Sequence, residues 1–203
     1  MKTRKWLWGL GLVAVLMIGA AWLWVLTQSY TFHGSVIETP MTAPNFTLAK
    51  SDGTLFRLGD YKGQVVILYF GYTSCPDVCP TTLSDLRQVR ARIPRGTGQI
   101  KIVFITVDPE RDSRERAQDY AAAFDASFIG LSGTVEELMP VWNAYGVYRE
   151  KQATSSALGY LVDHSSQVYV IDKAGNLRET FAFGESPEAM AEDMNYLIDE
   201  TRK

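Results

Sequence analysis

Six consecutive apolar residues, Val65-Val66-Ile67-Leu68-Tyr69-Phe70, run directly into Gly71-Tyr72-Thr73-Ser74-Cys75-Pro76-Asp77-Val78-Cys79-Pro80. A run apolar on both faces suits a central strand of a mostly parallel sheet, covered above and below. Pro80 is tolerated in a first helical turn. It opens a helix expected to reach about Ile93, with Leu83, Leu86, Val89 and Ile93 as its apolar stripe. A buried strand, a loop with paired cysteines and a helix in direct succession leave few architectures open. The thioredoxin arrangement is the one that places all three in this order.

The remaining pattern agrees with an α/β sheet of mixed pairing. Ala43 to Leu48 and Leu55 to Leu58, either side of Asp52-Gly53, predict a hairpin. Ile100 to Val107 predicts a second buried strand. Arg111 to Phe124 predicts a helix with Ala117, Tyr120, Ala121 and Phe124 inward. Phe128 to Gly130 suits a short strand. Thr134 to Tyr145 predicts a helix with Thr134 as cap and Glu137 three residues on. Gln167 to Ile171 and Leu177 to Phe183 predict an antiparallel hairpin. Ser186-Pro187 opens a final helix to about Thr201.

The two cysteines are the only ones in 203 residues, too few for a disulfide-built scaffold, so their spacing is a site. Thioredoxin-type redox centres usually have two residues between the cysteines; here there are three. On a helical turn an i, i+4 pair lies about 5–6 Å apart at Cβ. That distance lets two thiolates share one ion at about 2.3 Å. A small adjustment to about 3.5–4.5 Å gives a disulfide. The spacing permits chelation, redox cycling and a plain structural disulfide alike, although closing so small a loop constrains the unfolded chain little. Free N–H groups and the dipole at a helix start lead one to expect both thiol pKa values lowered. Two thiolates with an imidazole suit copper or zinc rather than magnesium or calcium.

His164, in Leu161-Val162-Asp163-His164-Ser165-Ser166, is the candidate imidazole. It lies in an expected loop before the last hairpin, facing the cysteine loop in this topology. Asp163 either orients that ring or is an ordinary turn residue. Asp108, at the end of a strand where α/β sites gather, is open to a role beside the metal or in partner docking. Glu110 and Arg111 suit helix-start chemistry. His33 is expected to be a solvated linker residue. Met139, Met190 and Met194 are expected to be filler rather than ligands. Asn45-Phe46-Thr47 matches a glycosylation acceptor that carries little meaning in a bacterial setting.

Trp6 to Leu26 contains no charge. As a helix it would span about 31 Å, close to a bilayer core of about 30 Å. Trp6, Trp8, Trp22 and Trp24 lie near its ends, and Lys2, Arg4 and Lys5 precede it. These features predict a single-pass anchor in a bacterial inner membrane, with the body on the periplasmic side. A signal peptide cleaved near Gly19-Ala20-Ala21 is the alternative, but the run exceeds the usual h-region. The expected organisation is an anchor at 1–27, a linker at 28–43 and a thioredoxin-like, metal-binding domain at 44–203. With Lys2, Arg4 and Lys5 set aside, 17 basic residues face 23 acidic ones. That balance argues against a nucleic-acid partner.

Gly71 to Pro80, Thr106-Val107-Asp108-Pro109-Glu110-Arg111-Asp112 and Val162-Asp163-His164 together resemble the Sco/SenC family, over about Pro44 to Thr201. The resemblance implies a thioredoxin fold and copper held by Cys75, Cys79 and His164. It also implies a part in building the dinuclear copper site of cytochrome c oxidase, whose copper-binding subunit would be the partner. Other periplasmic copper carriers or thiol reductases are further implied partners. The family's duties span copper delivery, reduction of client thiols and redox sensing. The rival class is an enzyme, a thiol-disulfide oxidoreductase or peroxiredoxin-like peroxidase, which would use Cys75 and Cys79 but not His164.

Overall fold

In the computed structural model the described residues are 16–20, 22, 30–93, 98–153 and 159–200. They fall into two units, Met1–Phe32 and His33–Lys203. In the first, residues 16–20 and 22 are helical, and most of the expected anchor lies outside the described residues. Among the described residues no helix is long and apolar enough to cross a membrane.

The second unit runs β1 (Ser35–Thr42), β2 (Thr47–Ala49), β3 (Leu55–Arg57), a 3-10 turn (Leu58–Tyr61), β4 (Val65–Gly71) and α1 (Val78–Ala91). It continues with β5 (Ile100–Thr106), α2 (Arg114–Phe124), β6 (Ile129–Leu131), α3 (Val135–Ala144), β7 (Arg149–Ala153) and β8 (Tyr160–His164). β9 (Val168–Ile171), β10 (Asn176–Phe181) and α4 (Pro187–Asp199) complete it. The main sheet has the order β1-β10-β9-β4-β5-β6. β4 pairs parallel with β5 and antiparallel with β9. This mixed, thioredoxin-like sheet is the expected α/β class.

Every residue of β4 is buried, as a run without alternation requires. Alternation along the strand sends Tyr69 toward α1 and Phe70 to the opposite face. There Phe70 meets Tyr145 and Tyr169, with ring centroids 5.7 and 5.5 Å away. Leu83, Leu86, Val89 and Ile93 are all buried beneath α1. Thr134 closes a capping box with Glu137 at the start of α3, and Ser186 caps α4 through the Ala189 N–H.

Four expectations are corrected. The stretch assigned to a linker holds β1, an antiparallel edge strand on β10 with an irregularity between Val36 and Met41. Pro40 sits in that irregular stretch, and an edge strand tolerates the missing donor. α1 begins at Val78 rather than Pro80, so Cys79 is helical and Pro80 occupies the first turn, where its absent N–H is not missed. α2 begins at Arg114, because Ser113 caps it and residues 108–112 turn on the Asp108 carbonyl. His164 ends a strand, β8, instead of lying in a loop; its partner is Arg149 of β7. The β7–β8 hairpin has little burial alternation, which is why its strands are invisible to pattern reading.

Candidate functional site

Cys75 ends up half-buried in the loop after β4, and Cys79 is wholly buried one residue into α1. Gly71 is required between them and the sheet: a Cβ there would stand 2.9 Å from Cys79 Sγ. The Cys79 N–H points at Cys75 Sγ, 3.4 Å away, so the free donors at the helix start are turned onto that sulfur. The Cys79 thiol also donates to it. That bond first, then the backbone N–H groups of Asp77 and Cys79, outweigh burial and hold the Cys75 thiol at about 5 against an ordinary 9.0. Cys79 goes the other way. Holding its proton for Cys75, and being buried beside that negative sulfur, pushes its pKa far up. The expectation that both thiols would be acidified is therefore wrong for Cys79. The two sulfurs behave as one proton-sharing pair.

His164 comes from β8, 85 residues further on. Its Nε2 lies 3.7 Å from Cys79 Sγ. Its Nδ1 lies 3.1 Å from the Val162 carbonyl. A carbonyl only accepts, so Nδ1 is the protonated nitrogen and Nε2 offers its lone pair toward the thiol. Tyr72 meets the imidazole edge-on at 5.6 Å. Cys75, Pro76, Val162 and His164 line a cleft of about 240 Å³. With metal–sulfur about 2.3 Å and metal–nitrogen about 2.0 Å, a 3.7 Å separation corresponds to an angle of about 120° at a shared ion. Cys79 and His164 thus stand at ligand spacing for a soft ion. Among the described residues no three His, Cys, Asp or Glu side chains converge as a closed cage.

The other candidates fall elsewhere. Asp163 is exposed, and the imidazole is oriented by the Val162 carbonyl instead. Asp108 is wholly buried. It pairs with the Arg111 guanidinium and accepts from the Tyr160 hydroxyl at 2.8 Å. Arg111 lies 3.7 Å over the Tyr160 ring and donates to the Tyr160 carbonyl at 3.0 Å. This group ties the start of β8 to the end of β5, and so sets where His164 arrives. His33 joins α4, its backbone N–H on Asp193 at 2.8 Å and its ring on Glu192 at 3.0 Å. Met190 and Met194 are core, and Met139 is exposed. Asn45 accepts from the Gly59 N–H through its side-chain oxygen. Glu110 pairs with Lys151.

Asp112 is the residue that pattern reading undervalued. It is wholly buried, and it accepts from the Thr73 N–H at 3.0 Å, the Thr73 hydroxyl at 2.5 Å and the Thr106 hydroxyl at 2.6 Å. Arg116 reaches Thr73 and Ser74 from outside. The segment just before Cys75 is therefore held in place by a buried carboxylate. Its only sequence trace is its place in the Asp108–Asp112 run.

The SCO1/SenC family matches residues 35–199. A SCO2-like protein of Rickettsia conorii is 34% identical over 149 residues, 73% of each chain. A putative copper-binding protein of Stutzerimonas stutzeri is 37% identical over 136 residues, 66% of each. The structure of Bradyrhizobium japonicum ScoI with copper bound is similar at a TM-score of 0.70 and 32% identity, covering 77% of this chain and 99% of that one. With the β4–loop–α1 unit and His164 in place, these matches make the chain a member of the SCO1/SenC family.

Proposed function

We propose that this chain is a copper chaperone in which Cys75, Cys79 and His164 hold the ion as cargo. The observation that carries the reading is the 3.7 Å approach of the His164 Nε2 lone pair to Cys79 Sγ. A dithiol used only for redox work has no need of that imidazole. The copper named for its relatives in Stutzerimonas stutzeri and Bradyrhizobium japonicum supports the choice of ion. The ligands lie beside an open cleft, so a recipient can approach and exchange them stepwise. A disulfide between Cys75 and Cys79 abolishes the site, which makes loading dependent on redox state.

Family membership points to the dinuclear copper site of cytochrome c oxidase as the destination, with its copper-binding subunit as partner. In this reading Trp6 to Leu26 anchors the domain at the periplasmic face of a bacterial inner membrane, where other copper carriers or thiol reductases supply it. The second reading is reduction of client thiols. It is favoured by the acidic, half-buried Cys75 backed by a buried Cys79, the arrangement of an attacking and a resolving thiol.

Copper titration of the reduced full-length chain separates the two. One tight equivalent, lost or sharply weakened in Cys75→Ser, Cys79→Ser and His164→Ala, establishes the copper site. Weak binding indifferent to His164 sinks it and leaves thiol exchange as the function.

A further inference from the structure

Tyr69 is wholly buried on β4, yet its hydroxyl has no hydrogen-bond partner. Such groups are rare in folded proteins and call for a reason. The Cβ position of Gly71 shows where the ring lies: it is 2.9 Å from Cys79 Sγ and 3.0 Å from Tyr69 Cε1. The ring edge and the sulfur share one small space under the cysteine loop. The polar side chains that act most on the hydroxyl are Cys79 and Thr82. Thr82 already spends its own proton on the Val78 carbonyl at 2.9 Å. A protonated thiol is a weak acceptor. A sulfur that has exchanged its proton for a metal ion is a much better one.

We propose that Tyr69 is a hydrogen-bond donor held in reserve for the metal-bound sulfur of Cys79. The inference rests on the copper reading and deepens it. When copper(I) binds, a Cu–S bond forms at Cys79 and the S–H proton leaves to solvent. Tyr69 keeps its proton and turns it onto Sγ. In the reduced, metal-free form the hydroxyl has no such partner, so the phenol favours the loaded state over it. Hydrogen bonds to ligand sulfur are an established lever on metal sites. Tyr69 acts through Cys79 and is a positioning residue.

The test uses the reduced full-length chain, with Tyr69→Phe and, as control, Tyr120→Phe. Tyr120 also has a buried, unpartnered hydroxyl, but it reaches the thiols only through charge. Copper(I) affinity by competition titration is expected to fall about three- to tenfold in Tyr69→Phe, the worth of one hydrogen bond, and to stay unchanged in Tyr120→Phe. The sulfur-to-copper(II) charge-transfer band should move to lower energy in Tyr69→Phe alone. Metal-free thermal stability should be unchanged or raised, because an unsatisfied hydroxyl is removed. Placing 3-fluorotyrosine, a stronger donor, at position 69 should shift affinity and band the opposite way. It carries the test if the phenylalanine variant does not fold.

Unchanged affinity and band at position 69, equal effects at 69 and 120, or a matching loss of metal-free stability would each overturn the inference. If the parent itself binds no copper, or binds it regardless of His164, the copper reading falls first. Parent binding with a silent Tyr69 removes the inference alone.

Discussion

The Asp112 carboxylate accepts both the backbone N–H and the hydroxyl of Thr73, 39 residues away, from a position with no exposure to solvent. The cysteine loop therefore owes its path to a side chain outside it. Removing Asp112 strands the Thr73 N–H and the Thr106 hydroxyl together. Asp112→Ala should cost about 3–5 kcal/mol in urea unfolding of the reduced domain. Asp112→Asn keeps the shape and some acceptor capacity, and should cost roughly half as much. A loss within error in both would show that the loop is held by something else.

The thiol pair makes a prediction about protons. Cys75 is ionised above about 5, whereas Cys79 keeps its proton through the neutral range. Copper binding between pH 6 and 8 should therefore release one proton per ion, not two. Affinity should rise about tenfold per pH unit there. Below pH 5 a second proton enters and the slope steepens. Calorimetry in buffers of different ionisation heat gives the count directly.

The same asymmetry sets reactivity. Iodoacetamide should modify Cys75 at a rate nearly flat from pH 6 to 8, with Cys79 protected by burial and by its proton. Cys79→Ala removes the leading cause of the low Cys75 pKa, the Cys79 S–H bond. The alkylation midpoint should then move upward. Preferential labelling of Cys79 in the parent would contradict the geometry.

Glu179 supplies a pH dependence unrelated to metal. It is wholly buried; desolvation first, and then the neighbouring Asp193, raise it from an ordinary 4.5 to about 9. Arg178 and the Gly34 N–H pull weakly the other way. Asp193 also receives the His33 and Gly34 N–H groups, and His33 pairs with Glu192. A carboxyl raised on folding gives its full stability below 4.5 and loses it progressively as pH rises toward 9. Stability of the parent should thus decline across that window. Glu179→Gln should flatten the decline and be the more stable protein at pH 9, as equilibrium denaturation at pH 5 and 9 will show.

Arg111 joins Asp108 to the Tyr160 ring and carbonyl, so it governs the placement of β8. Arg111→Ala leaves the Asp108 carboxylate buried without its cation and should cost about 3–5 kcal/mol. Arg111→Lys should rescue little, because an ammonium cannot stack and fork at once. Copper affinity should fall in both variants, through His164 losing its place.

The parts of the fold that could be read in advance are those where burial is one-sided or complete. β4, α1 and the caps at Thr134 and Ser186 follow from local pattern. The β7–β8 hairpin and β1 do not. Their residues lie at the surface, and their pairing is decided by Arg111, Tyr160 and β10 rather than by their own alternation. In the candidate site, Cys75 and Cys79 are singled out by their spacing and His164 by its place before the last hairpin. The opposite shifts of the two thiols were not legible, since a helix start acidifies whichever sulfur its N–H groups reach. Only the geometry shows that they reach Cys75.

The segments that carry Cys79 and His164 adjoin neighbouring strands of the sheet, one after β4 and one before β9, but lie 85 residues apart in sequence. A portion of the chain that stops before His164 cannot assemble both. In the proposed chaperone an ion held by all three side chains would report that the chain has folded as far as β8. A nascent or truncated chain offers two sulfurs without the imidazole, and copper that does bind the finished domain adds its free energy to the native state alone. In that reading cargo and quality control would be sensed by the same contact.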